Sequence, residues 1–283
     1  MRIITAIDEM QTVARELRSS GTLALVPTMG ALHAGHLSLI EAAKRDCKHV
    51  VASIFVNPLQ FGPNEDFSRY PRTFEADCAA LTAAGIDVLF APSAEALTPA
   101  GATTFIEVAG ISDRLDGASR PGHFRGVATI VAKLFHIVAP HRAYFGQKDA
   151  AQVAVLRAMV RDLNFSVEIV ACPIVREPDG LARSSRNRYL TPEQRSHATI
   201  LHRALDAAAD LHVGGEHNSQ SLTATMLRVF AAEPSVKVEY AAVVDPDTLL
   251  PLTDTARGAL IAVAAHLGET RLIDNHLIGA DHA

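Results

Sequence analysis

Leu23-Ala24-Leu25-Val26-Pro27-Thr28-Met29-Gly30-Ala31-Leu32-His33-Ala34-Gly35-His36-Leu37 reads as a strand, a glycine turn and the first turn of a helix. Leu23 to Val26 is a short apolar run. Beyond the turn, Leu37, Ile40, Ala43 (or Lys44) and Cys47 recur at helical spacing. Gly30 and Gly35 lack a Cβ and let backbone approach a ligand closely. The free N–H groups of a first helical turn attract anions, and His33 and His36 add side-chain donors at the same place. The spacing of Gly30 and Gly35 matches a P-loop, but His36 and Leu37 stand where that loop needs Lys and Ser/Thr. Two alternatives to a phosphate site stay open. One is a plain strand-to-helix turn. The other is a metal-binding histidine pair, although no third ligand accompanies it at the usual spacings.

Outward from this stretch, short apolar runs alternate with helical patterns. Residues 6–18 carry Ile7, Met10, Val13, Ala14 and Leu17 on one helical face. His49 to Val56 is a continuous β-branched run, as in a strand buried on both faces. It feeds an irregular loop, residues 57–66, rich in Pro and Gly. A helix over 71–84 and a strand over 86–90 follow. Strand, helix, strand, helix predicts a doubly wound, Rossmann-like α/β sheet, whose ligands gather at the C-terminal strand ends. Thr103 to Val108 reads as an edge or hairpin strand. Val127 to Val138 is an apolar helix, Ala143 to Phe145 a short strand, Ala150 to Leu163 a helix and Ser166 to Ala171 a strand.

The texture changes near residue 176. Thr191-Pro192-Glu193-Gln194 is a capping box opening a helix with Leu201, Leu205, Ala208 and Leu211 on its apolar face. Another helix covers roughly 219–232. Val236–Val244, Gly258–Ala265 and Thr270–Ile273 read as strands. The expected organisation is therefore a catalytic unit over 1–175 and a smaller α+β unit over 176–283.

Composition narrows the function classes. Of 283 residues, 48% are hydrophobic and the formal net charge is −5, split as −1 over 1–175 and −4 over 176–283. Neither half carries the basic excess of a nucleic-acid platform. No long apolar run or signal-peptide pattern points to a membrane or to export. Cys47, Cys78 and Cys172 are widely spaced, fitting reduced thiols in a cytoplasmic protein better than a disulfide framework.

Four loops at strand ends carry chemistry. They are the histidine turn, the segment with Asn57 and Gln60, Gly146-Gln147-Lys148-Asp149 with Gln152 one turn into its helix, and Ser184-Ser185-Arg186-Asn187. Together they offer phosphate donors, a carboxylate for hydroxyl groups and neutral amides, a set suited to a nucleotide and a small polar substrate.

These stretches, with Arg120-Pro121-Gly122-His123-Phe124-Arg125-Gly126-Val127, Asp179 to Asn187 and Arg271-Leu272-Ile273-Asp274-Asn275, closely resemble the pantothenate synthetase (pantoate–β-alanine ligase) family. That family falls within the HIGH-motif nucleotidylyltransferases. The resemblance runs nearly end to end. It implies a cytoplasmic homodimer that uses ATP with Mg²⁺, condensing pantoate and β-alanine through a pantoyl adenylate. It implies a catalytic set of His36, His33, Lys148 and Arg186. It implies an ATP site of Met29, Gly30, His33, Gly35, His36, Gly146, Gln147, Lys148, Asp149, Val175, Arg183, Ser184, Ser185 and Arg186. For pantoate and β-alanine it implies Gln60, Gln152, Met29 and Asn57. The metal ligands stay unassigned; Asp77 is one candidate, but it reads more readily as a solvated helix position. A histidine at a helix N-terminus tends to stay neutral, which favours N–H donors over a strong acid.

Three positions depart from the family pattern. Gln147 stands for the usual Glu, Ala151 for a Gln, and Arg183 for an apolar residue. Backbone contacts would tolerate Gln147, Ala151 points to a position that is not essential, and Arg183 adds charge to a phosphate clamp. Another nucleotidylyltransferase of the same superfamily, or a nucleotide-binding module without turnover, are the competing readings.

Overall fold

The computed structural model describes residues 1–63 and 65–279. Asn64, in the irregular loop, and residues 280–283, at the end of the second expected unit, lie outside the described residues. The first part of the chain runs β1 (Arg2–Ile4), α1 (Ile7–Ser20), β2 (Leu23–Thr28), α2 (Ala34–Asp46), β3 (His49–Ile54), α3 (Phe74–Ala84), β4 (Val88–Phe90) and the single turn α4 (Ala94–Leu97). It continues through the single turn α5 (Asp116–Ser119), α6 (His123–Val138), β5 (Arg142–Gly146), α7 (Ala150–Asp162) and β6 (Glu168–Cys172). The second part comprises α8 (Pro192–His197), α9 (Ile200–Val213), α10 (Ser219–Ala231), β7 (Val236–Val244), β8 (Ala259–Leu267) and β9 (Thr270–Ile278).

Six strands form one parallel sheet in the order β1-β4-β3-β2-β5-β6. The order reverses between β2 and β5, so their C-terminal ends flank the crevice where such sheets bind ligands. The histidine turn leaves β2 there, and Gln147–Asp149 leaves β5. Helices cover both faces. Helices α1, α6 and α7 pack in one core with Leu23, Leu25, Val51 and Phe145. Leu39, Ile40 and Leu81 of α2 and α3 pack on the other face with Ala24, Val26 and Tyr144. A three-stranded antiparallel sheet, β7-β8-β9, carries α9 and α10 on one face. Its Val244, Leu260 and Ala262 reach into the larger core.

The doubly wound reading is borne out, with local corrections. Strand β1 was missed; three residues give no periodic signal. Thr103–Val108 is extended but pairs with no strand among the described residues. Its alternation suggested a ladder, yet the Ile106 N–H donates to Thr129 Oγ1 instead (2.9 Å). Helix α6 begins four residues early, because left-handed Gly122 (φ 82°) sets its start at His123. The capping box at Thr191 and Gln194 is present, but the helix stops at His197 and restarts at Ile200. Strand β9 runs on to Ile278, drawn out by its pairing with β8.

One buried carboxylate holds the turn after β2. There Gly30 and Ala31 both adopt positive φ, 80° and 50°, and the second is unfavourable for a residue with a Cβ. Asp77 of α3 accepts from Ala31 N (2.9 Å), Leu32 N (2.8 Å) and Thr73 Oγ1 (3.1 Å). It is only 3% exposed. That corrects both expectations for Asp77, since it is neither solvated nor free to take a metal. Replacing Asp77 by Ala leaves two N–H groups unpaired beside a strained turn. The expected loss is about 3 kcal/mol, read as a lower urea midpoint with an unchanged denaturant slope.

Candidate active site

The two histidines cap their own helix. His33 is the N-cap of α2, and its Nδ1 accepts from Gly35 N (3.2 Å). His36 Nδ1 accepts from His33 N (3.3 Å). The result is a capping box built from imidazoles, with ring centroids 4.1 Å apart. Because both Nδ1 atoms accept, each neutral ring carries its proton on Nε2. Burial is the main cause holding the rings neutral. With the positive charge of Lys148 and, for His33, the charge that His36 gains by protonating first, it lowers His33 to about 3 and His36 to about 4. Gly35 has a different use from the expected one. A Cβ there would stand 2.9 Å from His33 Cε1, so the glycine makes room for the ring.

Across the sheet reversal, Lys148 and Asp149 follow β5, with Nζ and Oδ1 3.4 Å apart. Burial pushes the Asp149 carboxyl up, but Lys148, Arg186 and His36 outweigh it and hold it below the ordinary range. Strand β9 pins this turn, since Asn275 Nδ2 donates to the carbonyls of Gln147 (3.0 Å) and Lys148 (2.9 Å). The Gln147 side chain meets β9 as well, donating to Asn275 Oδ1 (3.3 Å). Its neighbour Asp274 is buried in a fork with Arg176, at 2.6 and 3.1 Å. Ala151 packs in the core at 2% exposure.

Ser184 caps the short 3₁₀ turn Ser185–Tyr189 by accepting from Arg186 N (3.3 Å). The Val175 carbonyl accepts from Arg183 N (2.9 Å). Arg183 itself pairs with Glu177 at 3.0 Å, so its added charge is largely offset within the chain. Arg186 reaches across to Asp66 at 3.1 Å.

A cavity of about 710 Å³ brings together Lys148, Asp149, Gln152, Ser184 and Arg186. Gln60 lines a second cavity of about 520 Å³. The two cavities share Glu65, Ser119, Arg120 and His123. Neither histidine of the turn lines the larger cavity, though both feel the charges of Lys148 and Asp149. Asn57 is buried with both ends committed. Its Oδ1 accepts from Leu59 N, and its Nδ2 donates to Gln60 Oε1 (3.0 Å) and Gly126 O. Its amide thereby orders the Gln60 side chain. Gln60 Nε2 meets Met29 Sδ at 3.1 Å.

Sequence reasoning gave no role to Asp66, Asn275 or the Glu65–Arg120–His123 group and placed Asp77 in another role, although Glu65 and Asp66 stood in the 57–66 loop. Arg120, His123 and Asn275 also stood in stretches already singled out.

Neutral donors at a helix N-terminus, a lysine–carboxylate pair and a serine–arginine turn around one sheet crevice define a nucleotide-using α/β enzyme. Residues 2–277 match the family model described as pantoate-beta-alanine ligase, and the chain belongs to that family. It is accordingly an enzyme of the ligase class. It is 58% identical to the pantothenate synthetase of Acidobacterium capsulatum, covering 99% of this chain and 97% of that one. It is 55% identical to that of Koribacter versatilis, covering 99% and 97%. The pantothenate synthetase structure from Thermus thermophilus superposes with a TM-score of 0.94 at 49% identity, covering 99% of this chain and all of that one. The Francisella tularensis pantoate–β-alanine ligase, solved with beta-gamma ATP and β-alanine, superposes at 0.81 with 35% identity, covering 98% and 97%.

The depressed histidines set a pH expectation. Ring-proton resonances of His33 and His36 should stay flat from pH 8 to pH 5 and move only toward about 4 and about 3. The stability that their neutral rings lend is full above about pH 6.5. It is lost as pH falls toward those values, because the unfolded chain takes up protons first. A ring titrating near its ordinary value would contradict the Nδ1-acceptor assignment.

Proposed function

We propose that the chain joins pantoate to β-alanine through a pantoyl adenylate, with residues 1–175 as the ATP- and pantoate-binding unit and 176–283 as the smaller unit over it. A pantoate carboxylate oxygen attacks the α-phosphorus of ATP, and pyrophosphate leaves with the electrons of the broken P–O bond. The neutral amine of β-alanine then attacks the acyl carbon. AMP departs, the amine loses its proton, and an amide remains. The observation that carries this reading is the pair of neutral imidazoles with Nε2–H free, beside Lys148. In-line attack spreads negative charge over phosphoryl oxygens, and preorganised donors stabilise it most where water is excluded.

In this reading His33 and His36 donate to the phosphates through Nε2–H. Lys148 and Arg186 supply fixed charge. Asp149 accepts from ribose hydroxyls. The turn at Met29 and Gly30, the segment Gly146–Gln147, and the 183–186 segment near Val175 frame the nucleotide. Gln60 and Gln152 take the hydroxyls and carboxylate of pantoate from two sides. Mg²⁺ is commonly held by substrate phosphates, waters and one or two carboxylates. Among the described residues no group of three or more His, Cys, Asp or Glu is placed to hold a metal ion. The donor set therefore fits a Mg²⁺ that arrives on ATP, where it would neutralise phosphate charge, better than a resident ion. A cytoplasmic homodimer completes the reading. Its supports are three cysteines that are all unbridged, and the family resemblance. Light scattering in solution tests the dimer.

The direct test is pantoate-dependent exchange of labelled pyrophosphate into ATP without β-alanine. Exchange is expected; folded protein that shows none with pantoate would sink the adenylate reading. His36→Ala should depress exchange by roughly 10²–10³, the scale for one lost transition-state donor, and unchanged kinetics would remove His36 from that role. Gln60→Ala should raise KM for pantoate with ATP binding near normal. A selective loss of ATP binding would put Gln60 in the other subsite.

A further inference from the structure

Resting on the ligase reading, we propose that Glu65 and Asp66 are positioning residues that couple nucleotide binding to pantoate binding. They are neighbours in sequence; Asp66 lines the larger cavity, whereas Glu65 lines both. Asp66 accepts from Arg186 Nη2 at 3.1 Å, on the side of Lys148 and Asp149. Glu65 takes Arg120 in a fork, at 2.7 Å from Nε and 2.6 Å from Nη2.

The contacts run on from there to Gln60. Arg120 Nη1 lies 3.0 Å from His123 Nε2, and His123 Nδ1 lies 2.8 Å from the Gln60 carbonyl. Guanidinium only donates, so His123 accepts on Nε2 and donates from Nδ1 to Gln60. Arg120 Nη2 adds a longer bond to the same carbonyl (3.3 Å). The peptide that carries the Gln60 side chain is thereby held from the far side of the wall between the cavities.

Backbone packing stiffens this arrangement. A Cβ on Gly126 would fall 2.2 Å from Leu59 O, so α6 is pressed directly against the chain beside Gln60. Asn57 bridges Gly126 O and Gln60 Oε1. The Glu65–Asp66 peptide joins the contact with Arg186 to the contacts that reach Gln60. Two carboxylates beside a triphosphate site repel it unless each is matched by a cation. Phosphate that draws Arg186 therefore also bears on Asp66, and the adjoining Glu65 passes the displacement to Arg120, His123 and Gln60. Coupling of this kind is reciprocal: pantoate must tighten nucleotide by the factor that nucleotide tightens pantoate.

The test is calorimetric titration of pantoate into the full chain, alone and with saturating α,β-methylene ATP, which cannot be cleaved at the reacting bond. For the unaltered chain the analogue should tighten pantoate on the order of tenfold. In Asp66→Asn and in Glu65→Gln the ratio should fall to within about twofold of one. Arg120→Lys keeps the charge but loses the fork, and should lower the ratio in the same way if either carboxylate variant fails to fold. Arg69→Ala, on the same segment but outside this chain of contacts, should keep it. A merely structural role would lower thermal midpoints and leave the ratio alone. A ratio of one in the unaltered chain, or an undiminished ratio in the folded variants, overturns the coupling while pyrophosphate exchange stays intact. Absence of both pantoate binding and exchange overturns the ligase reading with it.

Discussion

The site depends on the grip of Asp77 on the turn that follows β2. Two successive residues with positive φ do not hold themselves, and one of them, Ala31, has no glycine freedom. The carboxylate satisfies the N–H groups of Ala31 and Leu32 together. The chain is thereby delivered to His33 at the angle that lets an imidazole serve as N-cap. From that angle follow the Nδ1 contacts, the neutral rings and the outward Nε2–H groups. Helix α3, which lines neither cavity, thus sets the aim of the groups assigned to the chemistry.

The second half of the site is set from the small sheet. Asn275 fastens the carbonyls of Gln147 and Lys148, and the buried Arg176–Asp274 fork fixes β9 against the segment leading to Ser184. Removing one partner from such a buried pair strands the other charge. The position of Lys148 is therefore a joint property of β5 and β9, two elements separated by most of the C-terminal sequence. The cluster of Arg271, Asp116 and Glu239 is a further tie of β9 and β7 to α5.

The parallel sheet was legible because its strands are unbroken apolar runs, and the histidine turn because glycine and histidine interrupt one of them. What stayed illegible is what three-dimensional pairing decides. Asp77 sits in an ordinary helical pattern, and only the approach of α3 to the turn turns a solvent-facing position into a buried acceptor. Thr103–Val108 has the alternation of a strand but meets a helix hydroxyl where a ladder was expected. The tie of Asn57 to Gly126 could not be read either, because it joins a loop to the backbone of α6 69 residues away. Gln60 and Gln152 looked equivalent, whereas they line different cavities.

The imidazole capping box carries a consequence for how this chain can vary. The same two rings terminate the backbone of α2 and present the donors, so one substitution acts on both at once. A change to Asn or Ser would keep a cap but shorten the reach, and a change to Lys or Arg would keep a donor but remove the Nδ1 acceptor. No single replacement supplies both functions. The path to altered chemistry at this turn therefore runs through paired changes, in which a new cap is installed before a ring is released.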